Sequence, residues 1–313
     1  MSIQIISPGA LTTVQDYGRT GLCEIGLSPS GAVDFKSMEL ANILVGNEMG
    51  EAVLECTLMG PTLQFTKDNV IAITGAFMDP KINGRPIPVN RAVAVKAGEV
   101  LTLGFAAIGC RAYIAFAGGL KIKECFGSKS TNMKCGIGGL YGRALKAKDE
   151  IEFAHPTAGL KGMEKRVLKQ IEAFAFPRTI RVIMGPQDDY FTQEGIHTFL
   201  SSPYILTKDS DRMACRLSGP VIAGKKTTDI ISDGIALGSI QVASNGQPMV
   251  MLADRQTTGG YAKIATVIST DIPYIAQCKP GDSLLFQSVS IETAHKLYRE
   301  RVKAMRSLRR SMQ

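Results

Sequence analysis

The sequence of 313 residues contains no tryptophan, only three histidines, and seven cysteines that form no Cys-x-x-Cys pair. His155, His197 and His295 lie far apart in the chain, so they form neither a paired zinc-ligand motif nor an evident nucleophile and base set. We expect ordinary surface or core roles for all three and no bound metal. The odd number of scattered cysteines predicts reduced thiols.

Long apolar runs and phosphate-binding motifs are also missing. No stretch approaches the roughly 18 consecutive apolar residues of a membrane helix, and residues 1–20 have neither a charged leader nor an apolar signal core. The sequence therefore predicts a cytoplasmic protein with no membrane partner. There is no Gly-x-x-x-x-Gly-Lys-Ser/Thr motif. The glycine-rich residues 136–143 lack the flanking strand and helix of a dinucleotide fingerprint, so we interpret them as a loop.

The formal net charge of +8 is concentrated near the C-terminal end of the sequence. Residues 290–313 contain seven basic and two acidic residues, so five of the eight excess charges lie there. The apolar residues of this segment recur mainly at spacings of three and four: Ile291, Ala294, Leu297, Tyr298, Val302, Met305 and Leu308. This pattern predicts an amphipathic helix with a basic outer face. The helix is either docked, with its late arginines near the negative end of the dipole, or a basic interaction surface. The nearly balanced body predicts no nucleic-acid partner.

Most of the remaining sequence predicts short strands. Segments rich in branched residues and bounded by Gly, Pro, Asn or Asp occur at 70–74, 91–95, 111–116, 181–184, 248–252 and 264–269. Helices are predicted only at 34–45, 161–174 and 188–200, in addition to the C-terminal one. The sequence therefore predicts a mainly β protein with a few short helices.

A weak internal similarity suggests two related lobes. Residues 60–61 and 219–220 are both Gly-Pro, and each is followed by strand-rich sequence, a Gly-Gly pair and a closing strand. The spacings differ, so a common strand-entry turn would explain the similarity equally well. We expect an N-terminal lobe at 1–155, a helical linker at 156–178, a C-terminal lobe at 179–289 and a basic helix at 290–313.

Three clusters place polar side chains between glycines, as a site built on loops would. The first, at 12–19 and 28–34, contains Gln15, Asp16, Arg19 and Ser30. The second, at 209–216, contains Arg212 and Arg216. The third and densest, at 253–261, contains Asp254, Arg255, Gln256, Thr257, Thr258, Gly259, Gly260 and Tyr261.

Arg255 is the strongest candidate of the third cluster because a guanidinium offers a rigid fork of donors for a carboxylate or phosphate. Gly259 and Gly260 would let backbone N–H groups approach a ligand or form an anion nest. In the alternative interpretation, Asp254 and Arg255 pair locally and the glycines form a bulge.

These clusters resemble the biotin-dependent carboxyltransferase family. The matching segments, in chain order, are 11–19 (LTTVQDYGR), 30–32 (SGA), 41–47 (ANILVGN), 54–57 (LECT) with 60–61 (GP), 127–131 (GSKST), 210–213 (SDRM), 238–242 (GSIQV) and 254–261 (DRQTTGGY). The resemblance runs from about residue 5 to about residue 286. It implies two cyclophilin-like β-barrel lobes.

The resemblance also implies a function. Family members occur as a subunit of a bacterial ATP-dependent 5-oxoprolinase, which opens 5-oxoproline to glutamate. This implies a hydrolase subunit that is inactive alone, acts on a small-molecule substrate and has subunits B and A as partners, with ATP used by the complex. Other members antagonise a kinase inhibitor without turnover, or act as a carboxyltransferase on urea-like substrates. No Ala-Met-Lys-Met turn is present, so biotin would have to be carried by another chain.

Residue chemistry suggests roles within such a site. Arg255 would hold the substrate carboxylate or stabilise developing negative charge, Gln256 and Thr258 would bind the lactam, and the two glycines would supply backbone donors. Asp16 or Asp254 would act as a base. The remaining candidates for substrate binding are Thr257, Tyr261, Arg212, Arg216, Gln241, Gln15, Arg19 and Ser30.

Overall fold

The computed structural model describes residues 1–155, 162–169 and 174–312. The chain divides into two compact units. The first unit comprises Met1–Thr20, Ser30–Ala173 and Ser307–Gln313, and the second comprises Gly21–Pro29 and Phe174–Arg306. The predicted division into an N-terminal lobe, a helical linker, a C-terminal lobe and a basic helix stays a prediction.

The described residues of the first unit form two sheets and the helix α1 (Phe35–Leu44). Its strands are β1 (Ser2–Ser7), β2 (Leu11–Gln15), β3 (Val53–Thr57), β4 (Thr62–Phe65), β5 (Asn69–Phe77), β6 (Lys81–Ile82), β7 (Arg85–Pro86), β8 (Ala92–Val95), β9 (Val100–Thr102), β10 (Ile108–Phe116) and β11 (Glu150–Glu152). One sheet has the order β11-β1-β4-β9-β6-β7, and the other has the order β2-β3-β10-β5-β8.

Strand β5 shows how the sequence builds the layers of this unit. Side chains alternate between the two faces of a strand. Ile71 and Ile73 belong to the core that both sheets line, whereas Val70 and Ala72 belong to the core beneath α1. Apolar residues at successive positions of β5 are therefore explained by burial on both faces.

The second unit is built on a closed barrel with the strand order β12-β19-β16-β17-β14-β13-β20. Its strands are β12 (Arg178–Met184), β13 (Tyr204–Leu206), β14 (Ala214–Ser218), β15 (Asp229–Gly234), β16 (Ser239–Val242), β17 (Pro248–Met251), β18 (Thr258–Tyr261), β19 (Lys263–Val267) and β20 (Ser283–Ser288). Strands β15 and β18 pair with each other outside the barrel. We call this two-stranded element the ribbon.

Three further α-helices are α2 (Gln193–Ser201), α3 (Ile272–Ala276) and α4 (Ile291–Ser311). Helix α1 begins after Asp34, whose carboxylate accepts the Ser37 N–H at 2.9 Å, and Gly46 follows its end with φ +75°. Helix α2 starts later than predicted, because Thr192 caps it and a 3-10 turn occupies Asp188–Tyr190. The prediction of a mainly β fold with few helices and a C-terminal helix is confirmed.

The predicted helix at 161–174 is wrong where the structure describes it. Residues 161 and 170–173 lie outside the described residues. Within 162–169, a 3-10 turn covers only Met163–Lys165 and Arg166 is already extended. The Ala92 N–H donates to the Arg166 carbonyl at 3.0 Å, and Val167 bridges to Arg91. Pairing with the edge of β8 therefore replaces the helix.

None of the seven cysteines, all of which lie within the described residues, is assigned to a disulfide. Among the described residues, no helix combines the length and the apolar character that a membrane span requires.

Candidate functional site

Asp16 organises the polar cluster of the first unit. Its Oδ1 accepts hydrogen bonds from the Gly18 N–H at 2.7 Å, the Ser128 hydroxyl at 2.6 Å and the Ser130 hydroxyl at 2.5 Å. Its Oδ2 accepts the Lys129 N–H at 2.6 Å. The carboxylate thus joins two sequence segments that carry the family resemblance separately. This dense donor set favours an anchoring role for Asp16, and its predicted role as a base stays untested.

Gln15, Arg19 and Ser30 are buried beside this anchor. Arg19 donates from Nη2 to the Ser130 carbonyl at 2.7 Å and from Nε to the Cys125 carbonyl at 3.1 Å. Arg19 Nη1, Gln15 Oε1 and Ser30 Oγ reach no hydrogen-bond partner among the described residues. The structure thus brings together all four first-cluster candidates, within one unit.

The glycine-rich segment 136–143 packs on Arg19 as a loop. Gly138 has φ +68°, and a Cβ atom there would lie 2.0 Å from the Ser130 carbonyl oxygen and 2.3 Å from Arg19 Nη2. Only glycine tolerates both this φ and this close approach. The interpretation of this segment as a loop is confirmed.

A cavity of about 270 Å³ lies next to the Asp16 anchor, within the first unit. Its lining combines one ammonium group with several carboxylates, and Lys129 Nζ lies 2.6 Å from Glu51 Oε1. The Tyr17 hydroxyl donates to Glu39 Oε1 at 2.9 Å. The lining residues are Asp16, Tyr17, Gly18, Glu48, Gly50, Glu51, Ala52, Glu124, Gly127 and Lys129.

In the second unit, Asp254 is bound by Arg212. Arg212 Nε donates to Asp254 Oδ2 at 2.8 Å and Nη2 donates to Oδ1 at 3.2 Å, in the bidentate geometry that guanidinium and carboxylate groups favour. The Arg212 side chain is 4% exposed. The predicted local pair of Asp254 with Arg255 is therefore replaced by a pair between residues 42 positions apart.

Arg255 uses part of its guanidinium on the backbone. Nε donates to the Ile235 carbonyl at 3.0 Å and Nη1 donates to the Leu252 carbonyl at 3.3 Å. The Ser28 hydroxyl in turn donates to the Arg255 carbonyl at 2.7 Å. Burial lowers the pKa of Arg255 from its ordinary value, an effect that the nearby Cys23 opposes. Within the described part of the chain, these contacts fix the guanidinium and leave Nη2 for a ligand.

The remaining residues of the third cluster form strand β18 and its entry. Gln256 and Thr258 are exposed, and Gly259, Gly260 and Tyr261 are partly exposed. Gly259 and Gly260 have no positive φ, so they form a strand and no anion nest. The register shift lies on the facing strand, between Asp229 and Asp233.

Gly259 lies close to the end of the Gln241 side chain. A Cβ atom at Gly259 would lie 2.8 Å from Gln241 Nε2. Gln241 is 3% exposed and donates from Nε2 to the Tyr261 carbonyl at 3.1 Å. Arg216, by contrast, is exposed, and its Nη1 lies 3.0 Å from the Met249 sulfur.

Sequence reasoning missed a second polar set beside the ribbon. Lys263 is 2% exposed although it is a lysine, and its Nζ donates to Asp233 Oδ2 at 2.8 Å. Gln187 Nε2 donates to the same oxygen at 3.1 Å. The available signal was a lysine at the start of a strand segment that is apolar except for Thr266, KIATVI. Across the described residues, no group of three or more His, Cys, Asp or Glu side chains is arranged to hold a metal ion.

The fold and these clusters define a carboxyltransferase-type module. The chain belongs to the family described as carboxyltransferase domain, subdomain A and B, which matches residues 25–288. The family resemblance predicted from the sequence is confirmed.

Individual relatives give a more specific comparison. The chain is 38% identical to the C subunit of 5-oxoprolinase from Escherichia coli over 94% of this chain and 93% of that protein. It is 34% identical to the C subunit of 5-oxoprolinase from Haemophilus influenzae over 95% of this chain and 94% of that protein. The crystal structure of urea amidolyase from K. lactis superposes on 98% of this chain with a TM-score of 0.90 and 30% identity, and the chain spans 20% of that protein.

Proposed function

We propose that this chain is a subunit of an ATP-dependent 5-oxoprolinase, in which it helps to open the lactam of 5-oxoproline to glutamate. The observation that carries the proposal is the 38% identity to the C subunit of a 5-oxoprolinase over 94% of this chain and 93% of that protein. The match covers nearly all of both proteins, so it is not confined to one shared domain.

The reaction is the addition of water across the amide bond of a stable five-membered ring. Phosphorylation of the lactam oxygen by ATP, with release of ADP, would make the ring carbon open to attack by water, and the ring nitrogen would leave as the amino group. A second water would then hydrolyse the resulting acyl phosphate to glutamate and inorganic phosphate. No P-loop motif is present in this chain, so we assign ATP binding to the partner subunits. Those partners, in this proposal, are the B and A subunits, and the isolated chain is inactive.

The contacts of the second unit support the roles that this proposal gives to its side chains. Arg255 is fixed by two backbone carbonyls, and its remaining Nη2 donors stabilise negative charge on the ring oxygen. A preorganised donor of this kind requires no reorientation during the reaction. Gln256 and Thr258, both exposed, hydrogen-bond the lactam. Asp254 would have to release Arg212 to act as a base.

Reconstitution of the full complex tests the proposal. We expect the chain, purified with its B and A partners, to form glutamate from 5-oxoproline in an ATP-dependent manner. Arg255→Ala should lower kcat at least about 100-fold, the effect of removing one oxyanion donor. Gln256→Ala should raise KM. The control is Gln193→Ala, an exposed glutamine on α2, which should leave the kinetics unchanged.

Full activity of Arg255→Ala in an intact complex would remove this residue from the site. A complex that forms but makes no glutamate would instead favour a binding protein that acts on a kinase-inhibitor partner without turnover.

The similarity to urea amidolyase supports a second candidate. Its structure superposes on 98% of this chain with a TM-score of 0.90. In this alternative the chain transfers a carboxyl group to a urea-like acceptor from biotin on another chain. Incubation of the reconstituted complex with a carboxybiotin-loaded carrier and urea distinguishes the two, because the proposed 5-oxoprolinase subunit leaves that carboxyl group in place.

A further inference from the structure

We propose that Lys263 and Gln187 form a receptor for the carboxylate of a small anionic substrate, and that Asp233 of the ribbon occupies this receptor until the substrate binds. The inference deepens the proposed function and rests on it, because 5-oxoproline carries one carboxylate beside its lactam. Its structural basis is the geometry of three side chains of the second unit.

The receptor is built around a buried ammonium group. The Lys263 side chain is 2% exposed, and removing a charged group from water is costly unless it is paired. Among the described residues, Lys263 Nζ reaches one acceptor, Asp233 Oδ2, at 2.8 Å. An ammonium group has three donors, so this position can serve further acceptor oxygens.

Gln187 adds a second donor whose orientation is fixed. Its Oε1 accepts the backbone N–H of Lys263 at 3.1 Å, and its own backbone N–H donates to the Lys263 carbonyl at 3.0 Å. The amide nitrogen must then face Asp233, and it lies 3.1 Å from Oδ2. An ammonium and an amide N–H thus converge on one carboxylate oxygen, which is a suitable arrangement for binding a carboxylate from solution.

Asp233 is much more exposed than Lys263 and lies on the ribbon, outside the barrel. Its side chain is 55% exposed, and it lies on strand β15, where Ile231 is 95% exposed. The pairing of β15 with β18 shifts register between Asp229 and Asp233. A segment with few buried contacts opens at low free-energy cost. Asp233 can therefore leave Lys263 while the barrel stays closed.

The receptor adjoins the residues assigned to the lactam. Lys263 of β19 is the register partner of Gln241 on β16, and side chains of directly opposed strand residues lie on the same face. Gln241 in turn lies against Gly259 of β18. A substrate whose carboxylate replaces Asp233 is thereby held next to strand β18, which continues from Gln256.

Ligand binding to the isolated full-length chain tests the inference without requiring turnover. The probes are 5-oxoproline and 2-pyrrolidinone, which has the same ring without the carboxylate, measured by ligand-observed NMR titration. Asp233→Asn removes the competing carboxylate and keeps Lys263, so it should bind 5-oxoproline more tightly than the wild-type chain does. Lys263→Gln should weaken that binding at least about tenfold, the value of a charge-assisted hydrogen bond. Binding of 2-pyrrolidinone should be the same in all three proteins.

An exposed pair provides the matched control. Lys96 Nζ also lies 2.8 Å from an aspartate oxygen, that of Asp68, but these side chains are 71% and 48% exposed. Asp68→Asn and Lys96→Gln should leave 5-oxoproline binding unchanged. If Asp233→Asn binds 5-oxoproline no better than the wild-type chain, the inference is overturned, and this result does not depend on whether Lys263→Gln folds.

The binding result and the reconstitution assay can fail separately. Carboxylate-selective binding in a complex that forms no glutamate would reject the proposed function and keep the receptor. Glutamate formation with an unchanged KM for 5-oxoproline in Asp233→Asn and Lys263→Gln would keep the function and reject the receptor.

Discussion

At the scale of single residues, the pair of Arg212 and Asp254 combines a buried cation with a partly accessible anion. Their side chains are 4% and 15% exposed, and the contact is bidentate. Neutralising one partner of such a pair lowers the free energy of unfolding strongly, because the other charge stays buried without a counter-charge. Replacing both partners with apolar residues lowers it less. The ion pair therefore keeps the third cluster in place whatever its catalytic role.

We predict that Asp254→Asn lowers the free energy of unfolding by about 3 kcal/mol. Urea denaturation of the isolated chain, followed by circular dichroism, measures the loss. The control is Lys121→Ala at an exposed pair with side chains 67% and 57% exposed, where we expect a change of about 0.5 kcal/mol or less. Equal losses in the two variants would contradict the importance of burial at Arg212.

At the same scale, some site residues could be predicted from the sequence and others could not. The DRQTTGGY segment was identifiable because its polar residues are adjacent in sequence. The partner of Asp254 was not, since Arg212 is 42 residues away and residue types do not determine which of several charges meet. Lys263 was missed because one lysine in a strand is ordinarily a solvent-exposed residue, and only its burial makes it unusual.

At the scale of secondary-structure elements, α1 depends on its first residue. Asp34 Oδ1 accepts the Ser37 N–H at 2.9 Å and Oδ2 accepts the Ser37 hydroxyl at 2.6 Å. The cap satisfies one of the backbone donors that every helix leaves open at its start. It also fixes the chain that follows Ser30, so the helix start and the first polar cluster are coupled.

We predict that Asp34→Ala destabilises the protein by about 1 to 2 kcal/mol, the range measured for lost helix caps. The thermal midpoint of unfolding provides the measurement. Asp34→Asn retains a side-chain oxygen that can accept the Ser37 N–H, so it should lose less than half as much. A loss as large in Asp34→Asn as in Asp34→Ala would show that the cap is not the cause.

Elements were predictable where one local pattern determined them. The strand predictions at 70–74 and 111–116 fall within β5 and β10, and α1 falls within the helix predicted at 34–45. The helix predicted at 161–174 failed in its described part, because hydrogen bonds to the edge of β8 compete with the helical pattern. The closing of a barrel by β12 and β20 follows from pairing between distant residues, which periodicity does not reveal.

At the scale of the whole molecule, the excess of positive charge is a property of one helix. Ala294 and Met305 of α4 are buried. Lys296, Arg299, Lys303, Arg306 and Arg310 are exposed and follow one another at spacings of three and four, which places them along one stripe. The buried residues agree with a docked helix, and the role of the basic stripe as an interaction surface stays a prediction.

Alkaline pH should destabilise the protein because it deprotonates a thiol and two phenols that are buried in the folded state. Burial raises the pKa of Cys56 from 9.0 to about 12 and that of Tyr204 from 10.0 to about 12, and it raises the pKa of Tyr113 well above 10.0. In the folded state these groups therefore keep their protons up to a higher pH than they do in the unfolded state. Their contribution to stability is complete below about pH 9 and falls as the pH rises toward 12.

We therefore predict that the free energy of unfolding decreases between pH 9 and pH 11, with a slope of up to about 1.4 kcal/mol per pH unit for each such group. Urea titrations at a series of pH values measure it. Cys56→Ala should lower stability at pH 8, because it removes a buried side chain, but should give a shallower decrease between pH 9 and pH 10. An unchanged slope in this variant would contradict the contribution of Cys56.

The pairing of first and last strands has a consequence for how the protein is made. In the second unit, β12 and β20 run side by side from Arg178 with Leu284 to Val182 with Ser288. In the first unit, β1 pairs with β11, beginning at Ser2 with Glu152. During translation, the barrel of the second unit keeps an open strand edge until β20 leaves the ribosome, and such edges promote misassociation. Synthesis speed and chaperone supply should therefore affect the yield of this protein in addition to its final stability.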